Sequence, residues 1–180
     1  EMILKTYTGT ITDIDGNVYT TITIGTQVWT VENLKTTRYR NGVNIPHVMD
    51  EAAWATQTTG AYCNYNNDAG NVATYGRLYN WYAATDANNI APAGWHVPSY
   101  AEWDVLRNFL GGSNIAGGKA KEAGFAHWLS PNNGADNSSG FTALPAGERF
   151  IVYPGYPNYP AAFSGLSAET SWWTATGDLS

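Results

Sequence analysis

Apolar and polar residues alternate in the first part of the chain. Ile11 leads into a polar turn at Asp15-Gly16, and Val18, Thr20, Ile22 and Ile24 then recur at every second position, the period that sends side chains to one face of a strand. A second turn at Gly25-Thr26 precedes Gln27-Val28-Trp29-Thr30-Val31, so the stretch from Thr8 to Leu34 predicts a three-stranded meander. Residues 36–73 keep neither period for long and predict loops with short strands around Trp54, Tyr62 and Tyr65. Tyr75, Leu78, Trp81, Tyr82 and Thr85 fall at i, i+3, i+6, i+7 and i+10, which predicts a first helix. A second helix is marked at both ends. Ser99 and Glu102 form a capping box behind Pro98, Trp103, Leu106, Phe109 and Leu110 supply an apolar stripe, and Gly111-Gly112 ends it. Ala116 to Ala123 reads as a short helix, residues 124–168 as a long irregular excursion rich in Gly, Pro and Asn, and Ser171-Trp172-Trp173-Thr174-Ala175-Thr176 as a strand.

The order of strands, two helices, long loops and a strand predicts an α+β fold with a mixed or antiparallel sheet. The 180 residues hold no obvious linker, so one domain spanning 1–180 is expected. Charged residues make up only 13% and aromatics 14%, with eight Trp and twelve Tyr, a mixture that suits a loop-rich extracellular domain. The net charge of −6 and the scattered Lys and Arg argue against a nucleic-acid partner, since phosphates need a concentrated basic face. No stretch approaches the roughly 20 apolar residues of a spanning helix, so no membrane insertion is expected. The start at Glu1 rather than Met suggests a processed or excised chain. Cys63 is the only cysteine, which excludes an internal disulfide.

Candidate chemistry is sparse. Asp13, Asp15 and Asn17 place oxygens at alternate positions as calcium loops do, but the glycine position is wrong and the closing glutamate is absent, so a turn is expected. His47, His96 and His127 lie far apart and form no pair at metal-site spacing. Glu102 stands near His96 and Trp103, yet the capping box already accounts for it. Trp95, Ser99, Glu102 and Trp103 are therefore read as architecture, with the tryptophans packing the second helix onto the sheet. Tyr153, Tyr156 and Tyr159 alternate with Pro154, Pro157 and Pro160. Proline stiffens such a loop, and the rings fit glycan binding, protein binding or simple packing alike. Trp172 and Trp173 are adjacent on the expected strand, so one should join the core and the other face a ligand.

The segments D-I-D-G-N-V-Y (13–19), Q-V-W-T-V-E-N-L (27–34), Y-G-R-L-Y-N-W-Y-A (75–83), G-W-H-V-P-S-Y-A-E-W (94–103), N-S-S-G-F-T-A-L-P-A-G-E-R (137–149) and S-W-W-T-A-T (171–176) follow one another in an order that resembles the Fibrobacter succinogenes major paralogous domain family. The resemblance implies a bacterial protein that is secreted or displayed on the outer surface, with a fold similar to C-type lectins and formylglycine-generating enzymes. It also implies further strands after the tryptophan-containing one, so a chain ending at Ser180 is expected to lack its last strands. Formylglycine chemistry needs cysteine thiolates as copper ligands, and a single Cys63 excludes it. C-type-lectin-like folds hold calcium in long loops, which makes Asn132, Asn133, Asp136 and Asn137 candidate ligands, although no cofactor is required. The expected function is non-catalytic recognition of glycan or a surface protein through the long loops. The alternative is a structural subunit that self-associates by strand addition at the C-terminal sheet edge.

Overall fold

The computed structural model describes residues 6–150 and 162–176. The expected meander forms as β1 (Thr6–Thr12), β2 (Val18–Ile24) and β3 (Gln27–Thr30), antiparallel in the order β1-β2-β3. Its first turn is locked from within. The Asp13 carboxylate accepts the N–H groups of Asp15 and Asn17, both at 2.9 Å, and the Tyr19 hydroxyl at 2.6 Å. Asp15 instead reaches forward to Thr37 N–H and the Arg38 guanidinium, each at 2.5 Å, and ties the meander to the next loop.

Two helical pieces stand where one helix was expected. Val72–Tyr75 forms α2, Leu78–Tyr79 is a short strand β5, and Trp81–Ala84 forms α3, with α1 (Glu51–Ala55) and β4 (Tyr62–Cys63) preceding them. Gly76 breaks the period at φ +75°, and a Cβ there would meet Asn33 Cβ at 2.7 Å and Leu34 O at 2.9 Å. Asn80 restarts the helix by accepting the Ala83 N–H at 2.9 Å, and it also accepts the Ala61 N–H at 3.0 Å. The apolar spacing was real, but backbone conformation and capping overrule it. β5 pairs antiparallel with β4 in a two-stranded sheet.

The second helix appears as α4 (Tyr100–Phe109), with both halves of its capping box formed. Leu106 and Leu110 are buried, and Phe109, expected on the apolar stripe, is half exposed. The short helix is α5 (Ala116–Ala120). The excursion expected to be irregular contains β6 (Ala146–Phe150) and β7 (Ala162–Leu166), which pair antiparallel. Ser171–Thr176 is not a strand. Only Thr170 bridges to Gly147, after which Ala175 N–H donates to Pro98 O at 2.7 Å and Tyr100 N–H donates to Thr176 Oγ1 at 3.0 Å. The last described residues are therefore strapped across the N-terminus of α4.

Among the described residues the expected sheet thus resolves into three small antiparallel sheets in a mixed α+β arrangement. The largest cluster packs Ile22, Ile24 and Trp29 of the meander against Leu106 and Leu110 of α4, with Phe141 and Ala143 closing it. A second centres on Tyr39, Ile45, Tyr62, Ala83 and Ile90, and a third on Trp54, Ala61 and Cys63.

Candidate binding cleft

Where the 171–176 strap crosses the meander, a cleft of about 1020 Å³ opens between β3, the β5–α3 corner, the start of α4 and β6. That volume is at the upper end for small-ligand sites. Its wall is a chain of aromatic contacts. Trp29 and Trp103 lie 4.7 Å apart between ring centroids, Trp103 and Trp172 5.5 Å, and Phe141 meets Trp172 edge-on at 5.6 Å. Trp81 meets Trp173 in a T-shaped contact at 5.7 Å.

The structure brings Trp172 and Trp173 together with these partners, and it corrects their expected division of labour. Because the segment is not a strand, neither ring enters the core: they are 40% and 48% exposed. Both are nevertheless fixed. Trp173 donates its indole N–H to Tyr79 O at 2.7 Å, and Trp172 donates to Asn33 Oδ1 at 3.3 Å, while Asn33 Nδ2 holds Tyr75 O at 2.9 Å. Two large rings are thus hydrogen-bonded in place and remain partly exposed.

Of the residues read as architecture, Ser99 and Glu102 cap α4. Glu102 Oε2 accepts Ser99 N–H at 2.8 Å, and Oε1 contacts His96 Nε2 at 2.8 Å. The Ser99 N–H holds the Glu102 carboxyl below its ordinary range against the opposing effect of burial, with the Ser99 hydroxyl and His96 adding to the depression. Trp103 packs onto Trp29, and Trp95 stands half-buried at the cleft with its carbonyl accepting from Arg40.

Asn132, Asn133, Asp136 and Asn137 do not line the cleft. Asn132 Nδ2 donates to Glu122 O at 2.8 Å and Gly124 O at 3.0 Å, and Asn133 O accepts Lys121 Nζ at 3.1 Å. Asp136 Oδ1 accepts Ser138 N–H at 2.8 Å, and Asn137 clasps Thr142 through both ends of its amide. The Asp136 and Asn137 side chains are thus engaged in shaping their own loop, whereas Asn132 Oδ1 is buried without a hydrogen-bond partner. Tyr153, Tyr156 and Tyr159 lie outside the described residues. Cys63 is wholly buried, and burial pushes its thiol up while the neighbouring Arg149 partly opposes that shift.

Sequence reasoning missed Trp29, Trp81, Phe141 and Asn33 as members of one site. Trp29 sits at the core-facing period of β3, so its spacing signals only packing, and Trp81 was absorbed into the expected helix. The one usable signal was the abundance of tryptophan, which exceeds what these core clusters consume.

Fold and site together define a small mixed α+β domain with an aromatic cleft. The chain belongs to the Fibrobacter succinogenes major domain family, whose model matches residues 22–180. No curated protein and no solved structure matches it.

Proposed function

We propose that this is a non-catalytic recognition domain, C-type-lectin-like in fold, that works outside the bacterial cell or on its surface and binds glycan at the Trp172–Trp173 platform. The observation that carries this reading is the combination of fixed orientation and exposure at those two indoles. Aromatic faces that are already ordered stack on sugar rings with little loss of side-chain entropy. Two features favour binding over catalysis. Glu102, a carboxylate of the cleft wall, is committed to the helix cap, and the sole thiol is buried with its ionisation disfavoured.

A glycan array followed by calorimetry tests the proposal. Wild-type protein is expected to bind a defined set of neutral oligosaccharides without added metal. Trp173→Ala should weaken binding by about 2 kcal/mol, roughly thirtyfold, the typical loss when a central aromatic anchor is removed. Equal affinity of wild type and Trp173→Ala, with the fold intact by circular dichroism, would contradict it.

A further inference from the structure

Asparagine is followed by glycine at two places in the chain, Asn41-Gly42 and Asn133-Gly134. Glycine has no side chain to shield its amide nitrogen, so that nitrogen can reach the Cγ of the asparagine before it. A fold holds this reaction back wherever it ties down either group. Asn41 Nδ2 donates to Asn88 Oδ1 at 2.7 Å, its Oδ1 accepts the Val43 N–H at 3.0 Å, and the Gly42 N–H is spent on Tyr39 O at 2.8 Å. Two related pairs are tied in the same way. The Asp15 carboxylate is held by Thr37 and Arg38, and the Gly16 N–H donates to Asp13 O at 3.1 Å. Asn137 is clasped by Thr142, and the Ser138 N–H donates to Asp136 Oδ1 at 2.8 Å.

Asn133-Gly134 is the exception. The two residues form the corner of a turn that the Ala135 N–H closes on Asn132 O at 3.2 Å, with Gly134 at φ +67°. Both are exposed. Among the described residues neither the Asn133 side-chain amide nor the Gly134 N–H has a hydrogen-bond partner, and a Cβ at Gly134 would meet nothing within 4 Å. The peptide unit between them is held only by its carbonyl, which accepts Lys121 Nζ at 3.1 Å. An exposed corner with one such contact opens easily.

We infer that Asn133 is a site of self-modification, where the chain deamidates through a cyclic imide. The Gly134 amide nitrogen gives its proton to solvent base and bonds to Asn133 Cγ, and the side-chain nitrogen leaves as ammonia. Water then adds to either ring carbonyl and breaks that C–N bond, leaving aspartate or isoaspartate at position 133. Either product sets a carboxylate beside Lys121. Isoaspartate also carries the main chain through the former side chain. That displaces a turn whose Gly134 carbonyl lies against Gly118 of α5 and whose Asp136 N–H donates to Gly118 O at 3.1 Å. Neither Asn133 nor Gly134 lines the aromatic cleft, so this chemistry stands apart from the glycan platform.

The test follows the 180-residue protein in mildly alkaline buffer, folded and in urea, by tryptic mapping with fragmentation that separates aspartate from isoaspartate. A zero-time sample is subtracted to remove modification acquired during digestion. In urea the two Asn-Gly pairs should react at similar rates. In the folded protein Asn133 should lead Asn41 by at least about tenfold, because hydrogen bonds guard Asn41 and Gly42. Asn137 should stay unmodified. Asn133→Gln, whose longer side chain must close a larger ring, should abolish the signal at 133. The inference is overturned if Asn41 keeps pace with Asn133 in the folded protein, or if folding slows Asn133 as much as it slows Asn41. Both comparisons are made within the wild-type chain, so they stand even if Asn133→Gln fails to fold.

Discussion

Asp15 illustrates how single residues hold the meander to the rest of the chain. Burial alone would raise its pKa, but the Thr37 N–H, the Arg38 guanidinium and the Thr37 and Thr36 hydroxyls outweigh that and hold the carboxyl at about 2. A folded-state pKa below the unfolded value means the unfolded chain binds the proton more readily. The stabilisation is therefore full above about pH 4 and is lost as pH falls from there towards about pH 2. Urea titrations across that window should show Asp15→Asn less stable than wild type at neutral pH, with the gap closing in acid. A gap that persists unchanged at the acid end would mean the carboxylate charge is not what matters. At the helix cap, Ser99→Ala should cost about 1 kcal/mol in the same measurement, because Ser99 Oγ and the Glu102 carboxylate complete the box together.

At the scale of elements, legibility followed how strongly local rules agreed with one another. The meander and α4 were readable because period, turn residues and capping all pointed the same way. The helix expected from Tyr75 to Thr85 was not, since its apolar spacing spans Gly76, whose φ of +75° and contact with the Asn33–Leu34 backbone no side chain accommodates. Gly76→Ala should accordingly destabilise the protein by about 1–3 kcal/mol, read by thermal or urea unfolding. Little or no loss would show that the break is set elsewhere. The β6–β7 hairpin escaped because Gly147 and Gly165, at φ +64° and +76°, interrupt the alternation that reveals strands. The strap at 171–176 looked like a strand by composition, yet the chain forms one bridge just before it, at Thr170, and then follows the start of α4. Its two tryptophans were found as candidates, but their shared exposure depends on that tertiary path.

Over the whole molecule, one packed cluster joins the meander to α4, and the cleft is built on its outer side. Leu110 is 1% exposed within that cluster, so Leu110→Ala should cost about 2–5 kcal/mol and loosen the cleft together with the core. The ordered motifs identified the family, but they could not assemble a site from residues as distant as Trp29, Trp81, Phe141 and Trp173. Only packing brings those rings together. The central claim is that this cleft recognises ligand through the Trp172 and Trp173 faces. Its most direct test is a nitrogen-15 NMR titration of the assigned indole N–H resonances with an oligosaccharide selected on the array. Trp172 and Trp173 should show the largest saturable shifts, with Trp128, buried away from the cleft, unmoved. Saturable binding that leaves the Trp172 and Trp173 resonances in place would contradict the claim.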